Sequence, residues 1–334
     1  MNSSLSQEFN SRIFIINGAI LLLFALLISI FNGLLLFTVY KDPLKTFRNA
    51  TAVLVVALGI TDLLTGCATA VDVGVCHILE GLGIRKVMLQ AKIVSQATVR
   101  ASVFIMTLFA VERFIAVAFP YVYRFSVTIK KTVVGCILCW LLAIVTSCLE
   151  LVVARDLYDV IFLYITFVVP LITVCLTYCA TYWLMKRKTR RLRRSASKQN
   201  SERGSKRGRK EKIPKQSAKL QTQLMKTATL IIFVFVLSLL PFWSFTIIGR
   251  YCKRCTKERW YIACYRFSIP ILYSNSALNP LLYAWRMRTY RRSFQALFSG
   301  KKRDCLRESS SVDKTRREEI CLRDTNFHHD ESNL

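Results

Sequence analysis

Long apolar stretches separated by short basic segments constrain this chain more than any other feature. They cover about Ile13–Tyr40, Ala50–Val75, Val87–Phe119, Thr132–Ala154, Tyr158–Met185, Leu220–Gly249 and Ile262–Trp285. Each is long enough to cross a bilayer. Lipid offers no partner to an unpaired backbone N–H or C=O, so each is predicted to be a helix. The chain is 53% hydrophobic yet carries a formal charge of +28, and the two properties are separated along it. That layout excludes a disordered protein, a secreted disulfide scaffold and an ordinary cytosolic enzyme. It also argues against a nucleic-acid binder, because the basic residues flank apolar spans and read as topology signals. The polar residues 1–12 lack a charged n-region, and the first apolar run is too long for an h-region. No cleavable signal peptide is expected, and that run reads as a span that stays.

Lys and Arg set the orientation. Lys41, Lys45 and Arg48 lie in the first loop, and Arg124, Lys130 and Lys131 in the third. The fifth, residues 186–219, holds 16 basic residues against Glu202 and Glu211. Arg286, Arg288, Arg291, Arg292, Lys301, Lys302 and Arg303 follow the last span. These segments are predicted to be cytoplasmic, which puts the N-terminus outside. One outer loop runs against the bias, with Arg250, Lys253, Arg254, Lys257 and Arg259 against Glu258. The basic fifth loop is read as a contact for anionic lipid and acidic partners, and its Ser, Gly and Lys content predicts disorder in its middle.

Ionisable groups in lipid are costly, so those in the spans should face the bundle interior and mark function. They are Asp62 in span two and Glu112-Arg113 at the end of span three. Asn32, Asn275 and Asn279 are interior amides, and Tyr178 and Tyr283 lie near cytoplasmic ends. Pro170, Pro241, Pro270 and Pro280 interrupt spans five, six and seven. Each frees a carbonyl and can kink its helix.

The ordered set of Asn32-Gly33, Leu58-Gly-Ile-Thr-Asp62, Glu112-Arg113-Phe114, Trp140, Pro170 with Tyr178, Phe235 with Pro241, and Asn279-Pro280-Leu281-Leu282-Tyr283 resembles the rhodopsin-like (class A) G-protein-coupled receptors. The likeness covers about residues 13–298. It implies an all-α membrane protein, with a bundle over residues 13–285, an amphipathic eighth helix at 286–298 and a cytoplasmic tail at 299–334. It further implies a plasma-membrane receptor that passes ligand binding to a heterotrimeric G protein. Arg113 should pair with Glu112 at rest and face the G-protein α-subunit when active, with Tyr178 and Tyr283 swinging inward. Asp62, Ser102, Asn275, Ser276 and Asn279 match the family's sodium pocket; the alternative is a hydrogen-bonded core without metal. A transporter or channel would be expected to show matched broken helices in paired halves, and no such repeat is visible. No nucleophile–base set, HExxH or phosphate loop suggests an enzyme, and no cofactor is expected beyond the sodium.

The departures from the family pattern carry information too. Leu239 stands where the family has a Trp, two residues before Pro241, so the trigger rests on other packing, with Phe235 a candidate. Gln221 replaces the acidic partner of Arg113 at the base of span six, which predicts raised basal activity. Met88 replaces the disulfide cysteine of span three, and the second outer loop, about Arg155–Asp159, has no Cys. Of 12 cysteines, Cys76, Cys252, Cys255 and Cys264 should face the oxidising exterior. Cys252 and Cys255 resemble a small loop disulfide of adenosine-type and melanocortin-type receptors. Cys76–Cys264 is a second candidate, and a C-x-x-C can also be redox-active or half of a zinc site. These features resemble most the melanocortin, adenosine, cannabinoid and lysophospholipid group.

At the outer end, Ser95 stands where amine receptors carry an Asp, and Tyr273 where opsins carry a Lys. Thr246 replaces the Asn with which adenosine receptors hold adenine. Of three acidic groups in the melanocortin calcium site only Asp72 is matched. Lys92, Gln96 and Arg100 recur at four-residue spacing and share one helical face. Lys92 is expected to pair with Asp72, and Arg100 with Glu150; either the pairs are only internal, or Lys92 and Arg100 meet a small anionic or zwitterionic ligand. Asn2 begins Asn-Ser-Ser, a glycosylation acceptor if it lies outside. Tail residues Ser309, Ser310, Ser311 and Thr315 are expected to carry phosphate that docks arrestin, and Cys305 is a weak palmitoylation candidate.

Overall fold

The computed structural model describes residues 2–43, 47–84, 89–202, 234, 236–286 and 288–298. Side chains at 2–6, 89–92, 155–156, 189, 192–202, 285–286, 288–289 and 298 lie outside that description. All described elements are helices or the turns between them. In chain order they are α1 (Asn2–Lys41), α2 (Ala50–Gly81), α3 (Leu89–Ala118), α4 (Pro120–Ser126) and α5 (Ile129–Cys148). Next come α6, from Arg155 to Glu202, α7 (Val236–Tyr251), α8 (Arg259–Arg286) and α9 (Arg288–Phe298). Segments of α1, α2, α3, α5 and α6 are long and apolar enough to cross a membrane. The α7 helix is apolar but described only over its outer part, and α8 contains Pro270 and Pro280.

Local chemistry sets the boundaries. The Asn49 side chain caps α2 by accepting the Ala52 N–H at 2.9 Å. Thr128 precedes α5, and its hydroxyl accepts the Lys131 N–H at 3.4 Å. Pro120 opens α4, where its missing N–H costs nothing. Two helices contain a π-helical stretch, Thr65–Ala70 in α2 and Tyr164–Val168 in α6.

The described helices run past the expected boundaries at three places. Residues 2–12, the N-terminal segment expected outside, are already part of α1, which begins at Asn2. Its 40 residues reach about 60 Å, far beyond an apolar slab of about 30 Å. The excess stays helical beside the C-terminal end of α2, where Ser11 donates to the Gly81 carbonyl. The predicted loop Arg155–Asp159 is instead the first turn of α6, leaving only residues 152–154 as connection. Helix α6 runs on to Glu202, so the basic loop starts as helix; the rest of that loop, and Gln221 and Phe235 of span six, lie outside the described residues. The last helix, expected over 286–298, is described from Arg288 to Phe298.

Helices α1 and α2 meet at glycine. A Cβ added to Gly18 would come within 2.6 Å of the Gly74 carbonyl oxygen, and one on Gly81 within 2.9 Å of the Ser11 carbonyl oxygen. Small residues are what let membrane helices approach this closely. The main core joins α2, α3, α7 and α8 through Leu58, Phe104, Ile105, Met106, Trp243 and Tyr283. Buried Tyr290 docks α9 on this core, stacks on Phe294 at 6.1 Å and hydrogen-bonds Thr38 of α1.

Candidate functional site

At the C-terminal end of α3, Glu112 is only 5% exposed and is wrapped by donors. Arg113 gives it a two-pronged contact, Nε to Oε2 at 2.5 Å and Nη2 to Oε1 at 2.5 Å. Tyr123 of α4 donates to Oε1 at 2.5 Å, and Thr51 of α2 donates to the same oxygen at 3.0 Å. Arg113 also donates to the Thr51 hydroxyl, and its guanidinium lies 5.6 Å from the Phe109 ring centre. The arginine is thus folded back on its own helix. Burial and the bond to Glu112 push the Tyr123 phenol above its ordinary value, so it stays a donor across physiological pH. Sequence reasoning missed Thr51 and Tyr123; the signal was a hydroxyl one turn into α2 and a tyrosine ten residues after Arg113. Nearby, Lys188 of α6 donates to the Val117 carbonyl at 2.6 Å. Tyr178 is half-buried on α6, whereas Tyr283 is buried and its hydroxyl finds no partner among the described residues.

Midway along the bundle, Asp62 is fully buried. Its Oδ1 accepts from Ser102 at 3.2 Å and Ser276 at 2.7 Å, and its Oδ2 from Asn279 at 2.9 Å. Asn32 ties α1 to this cluster by donating to the Ser276 carbonyl at 3.0 Å. No Lys or Arg among the described residues forms an ion pair with Asp62, and an uncompensated buried carboxylate is costly. A cavity of about 20 Å³ is bordered by Ser102, Ser276 and Asn275, room for about one water-sized species. The Asn275 side-chain oxygen is buried there without a partner among the described residues. One carboxylate with hydroxyl and amide oxygens fits a small hard cation such as sodium. Pro280 lies within α8 just after this set, and Pro241 within α7.

The outer half differs from expectation. Arg100 is 1% exposed and does not pair directly with Glu150. It donates to Ser147 at 3.0 Å, to Gln96 at 3.0 Å and to the Tyr158 hydroxyl at 2.5 Å. Gln96 then donates to Glu150 at 3.0 Å, so an amide stands between the two charges. The guanidinium also faces the Phe162 ring at 4.5 Å. Tyr158 was expected to open span five but not to cap an arginine; its turn is helical and points inward. Phe162 continues the chain to Trp243 at 4.8 Å, which stacks on Phe167 at 5.0 Å. Trp243 stands two residues after Pro241 and Leu239 two before, and both are buried.

Ser95 and Tyr273 place their hydroxyls 3.2 Å apart, while Thr246 donates back to the Phe242 carbonyl of its own helix at 2.8 Å. Asp72 makes no hydrogen bond or ion pair with another described residue, and the Lys92 side chain lies outside the described set. A latch that sequence reasoning missed joins α1, α2 and α8. His77 meets Asn17 at 2.8 Å and Arg266 at 3.1 Å, and Asn17 donates to the Arg266 carbonyl at 2.6 Å. Arg266 stacks on Phe14 at 4.0 Å and lies 3.9 Å from Glu80. Cys252 and Cys255 form a disulfide. Cys76 and Cys264 do not; both remain thiols, which corrects the second candidate bridge.

A helical bundle of membrane-length apolar segments, with a buried carboxylate at its centre and a restrained arginine at the end of α3, is the architecture of a multi-pass membrane protein. The match to the family "7 transmembrane receptor (rhodopsin family)" covers residues 31–157 and 153–283, and the chain belongs to that family. It is a G-protein-coupled receptor with a seven-helix bundle. It is similar to human neuropeptide FF receptor 1, at 22% identity over 307 residues, 86% of this chain and 70% of that one. It is also similar to human sphingosine 1-phosphate receptor 2, at 38% over 69 residues, 21% of this chain and 19% of that one. Mouse trace amine-associated receptor 7d is 33% identical over 113 residues, 30% of each chain. None of these matches favours a transporter or channel.

Proposed function

We propose that this receptor sits in the plasma membrane with its N-terminus outside, and that Arg113 is the residue through which it engages a G-protein α-subunit. The observation that carries this reading is the closed contact of Arg113 with buried Glu112, Thr51 and Tyr123. That arrangement corresponds to rest, because the guanidinium is occupied by Glu112 and Thr51. Activation frees it to meet the partner. A cation between Asp62, Ser102, Asn275, Ser276 and Asn279 would neutralise the buried carboxylate and hold α2, α3 and α8 together at rest. The ligand is extracellular and acidic. Arg100 already donates to Ser147, Gln96 and Tyr158 and faces the Phe162 ring, so the ligand is met nearer the rim than span-three spacing suggests. Arrestin is the further cytoplasmic partner, docking on phosphorylated Ser309, Ser310, Ser311 and Thr315, which lie outside the described residues.

The test is guanine-nucleotide exchange on purified G proteins of several classes, using membranes that hold the receptor. Wild-type membranes should accelerate exchange even without ligand. Arg113→Ala at equal receptor level should reduce that acceleration to background. Full exchange by the variant would refute the assignment.

A further inference from the structure

We infer that the outer turn joining α7 to α8, Arg250 to Trp260, is a docking site for an acidic peptide. This deepens the receptor reading and rests on the outward orientation that reading assigns.

The turn is built as a rigid cationic knob. Its basic content opposes the charge bias that orients the other loops, so topology does not account for it. Two of its five cations are used to fasten it. Arg250 pairs with Asp159 of α6 at 3.2 Å, and Arg259 lies over the Phe9 ring of α1 at 5.7 Å. The other three, Lys253, Arg254 and Lys257, are exposed and form no ion pair with any described residue.

The backbone beneath them is fixed from several sides. The disulfide closes Cys252 on Cys255, and Cys255–Lys257 forms a single 3-10 turn. Thr256 donates to the Lys253 carbonyl at 2.8 Å. Tyr261, buried at the start of α8, donates to the Phe245 carbonyl of α7 at 2.8 Å. It seats against Gly249 so closely that a Cβ there would collide with its hydroxyl. Three cations on a preorganised turn lose little entropy when a partner arrives. Arg254 can grip a carboxylate with two parallel bonds.

Two large aromatic side chains flank the charges: Tyr251 is 78% exposed and Trp260 is 50% exposed. Aromatic anchors beside basic groups are the usual composition of a peptide-binding surface. A sulfated polysaccharide would be better served by cations strung along an extended stripe; here they crowd onto one short turn. The interior offers no rival site of the same charge among the described residues, since Arg100 and Arg266 are both enclosed by protein partners.

The test uses intact cells, which present only the outer face, and a fluorescein-labelled peptide of eight glutamates as probe. Receptor on the surface is measured in parallel through an N-terminal epitope tag. Wild-type cells should bind the probe saturably, and added salt should weaken binding. The variant Lys253→Gln/Arg254→Gln/Lys257→Gln should weaken it about tenfold at equal surface level, the effect of three exposed charge pairs. Cys252→Ser/Cys255→Ser keeps every charge but loosens the turn, and should also bind more weakly. Equal binding by the triple-Gln variant would overturn the proposal. So would binding of a labelled heparin fragment, but not of octaglutamate, through the same three residues; that would mark a polysaccharide site. No G protein enters this assay, so its failure leaves the Arg113→Ala exchange test standing, and the converse holds.

Discussion

Tyr123→Phe should raise ligand-free signalling about tenfold. The carboxylate of Glu112 is buried, and its Oε1 takes three donors: Arg113 at 2.5 Å, Tyr123 at 2.5 Å and Thr51 at 3.0 Å. Deleting the phenol removes one hydrogen bond to a charged group, worth roughly 1.5–3 kcal/mol. The lower end applies because two donors remain on the same oxygen. If the bond exists only at rest, the whole of about 1.5 kcal/mol moves the equilibrium toward the active state. A resting-to-active ratio near 99:1 then becomes about 90:10. The readout is uptake of a non-hydrolysable GTP analogue by a co-expressed G protein at matched receptor level. Tyr121→Phe is the control, since Tyr121 on the same short helix is 77% exposed and meets Phe125 in a tilted ring pair. Because the Tyr123 phenol is pushed up, it stays protonated as pH rises through neutrality. Its contribution should therefore be constant between about pH 6 and 9. Equal basal signals for wild type and Tyr123→Phe would refute the claim that this contact restrains Arg113.

Gln221→Glu should lower the basal signal by giving Arg113 an acidic partner at the base of span six, with Gln221→Ala nearly silent; the same exchange assay reads both. Replacing sodium with choline should raise ligand-free exchange in wild type, by about tenfold when sodium is at ten times its dissociation constant, and Asp62→Asn should abolish that difference. Gly18→Ala should cost about 1–3 kcal/mol, because its Cβ would meet the Gly74 backbone at 2.6 Å; thermal unfolding in detergent should show a lower midpoint.

The sequence reached the central cluster because its members belong to motifs that name both residue and span. Asp62, Ser102, Ser276 and Asn279 indeed lie within hydrogen-bond reach. Spacing served less well where partners depend on helix rotation. Arg100 and Glu150 lie near the same level, but Gln96 is one turn from Arg100 and intercepts it. Helix ends were hidden for a different reason. Polarity marks where lipid ends, whereas α1 and α6 continue as helix into polar sequence because neighbouring elements or local propensity support them. Thr51 and Tyr123 escaped notice because a hydroxyl in a loop or an early helical turn carries no chemistry until a buried carboxylate is set beside it.

The π-helical stretch at Thr65–Ala70 divides α2 into two phases. Such a stretch takes up one residue more than the surrounding helix, and one residue is about 100° of rotation. Below it, Asp62 faces Ser102, Ser276 and Asn279; above it, His77 faces Asn17 and Arg266. Deleting a single residue there would restore unbroken α-helix and leave Asp62 in place. It would swing Asp72 and His77 through about a quarter of a circle, away from their present neighbours. The two ends of one helix can thus be indexed separately. A gain or loss of one residue re-aims the outer mouth while the inner machinery keeps its alignment, so counting positions from Asp62 along an ideal helix puts Asp72 on the wrong side.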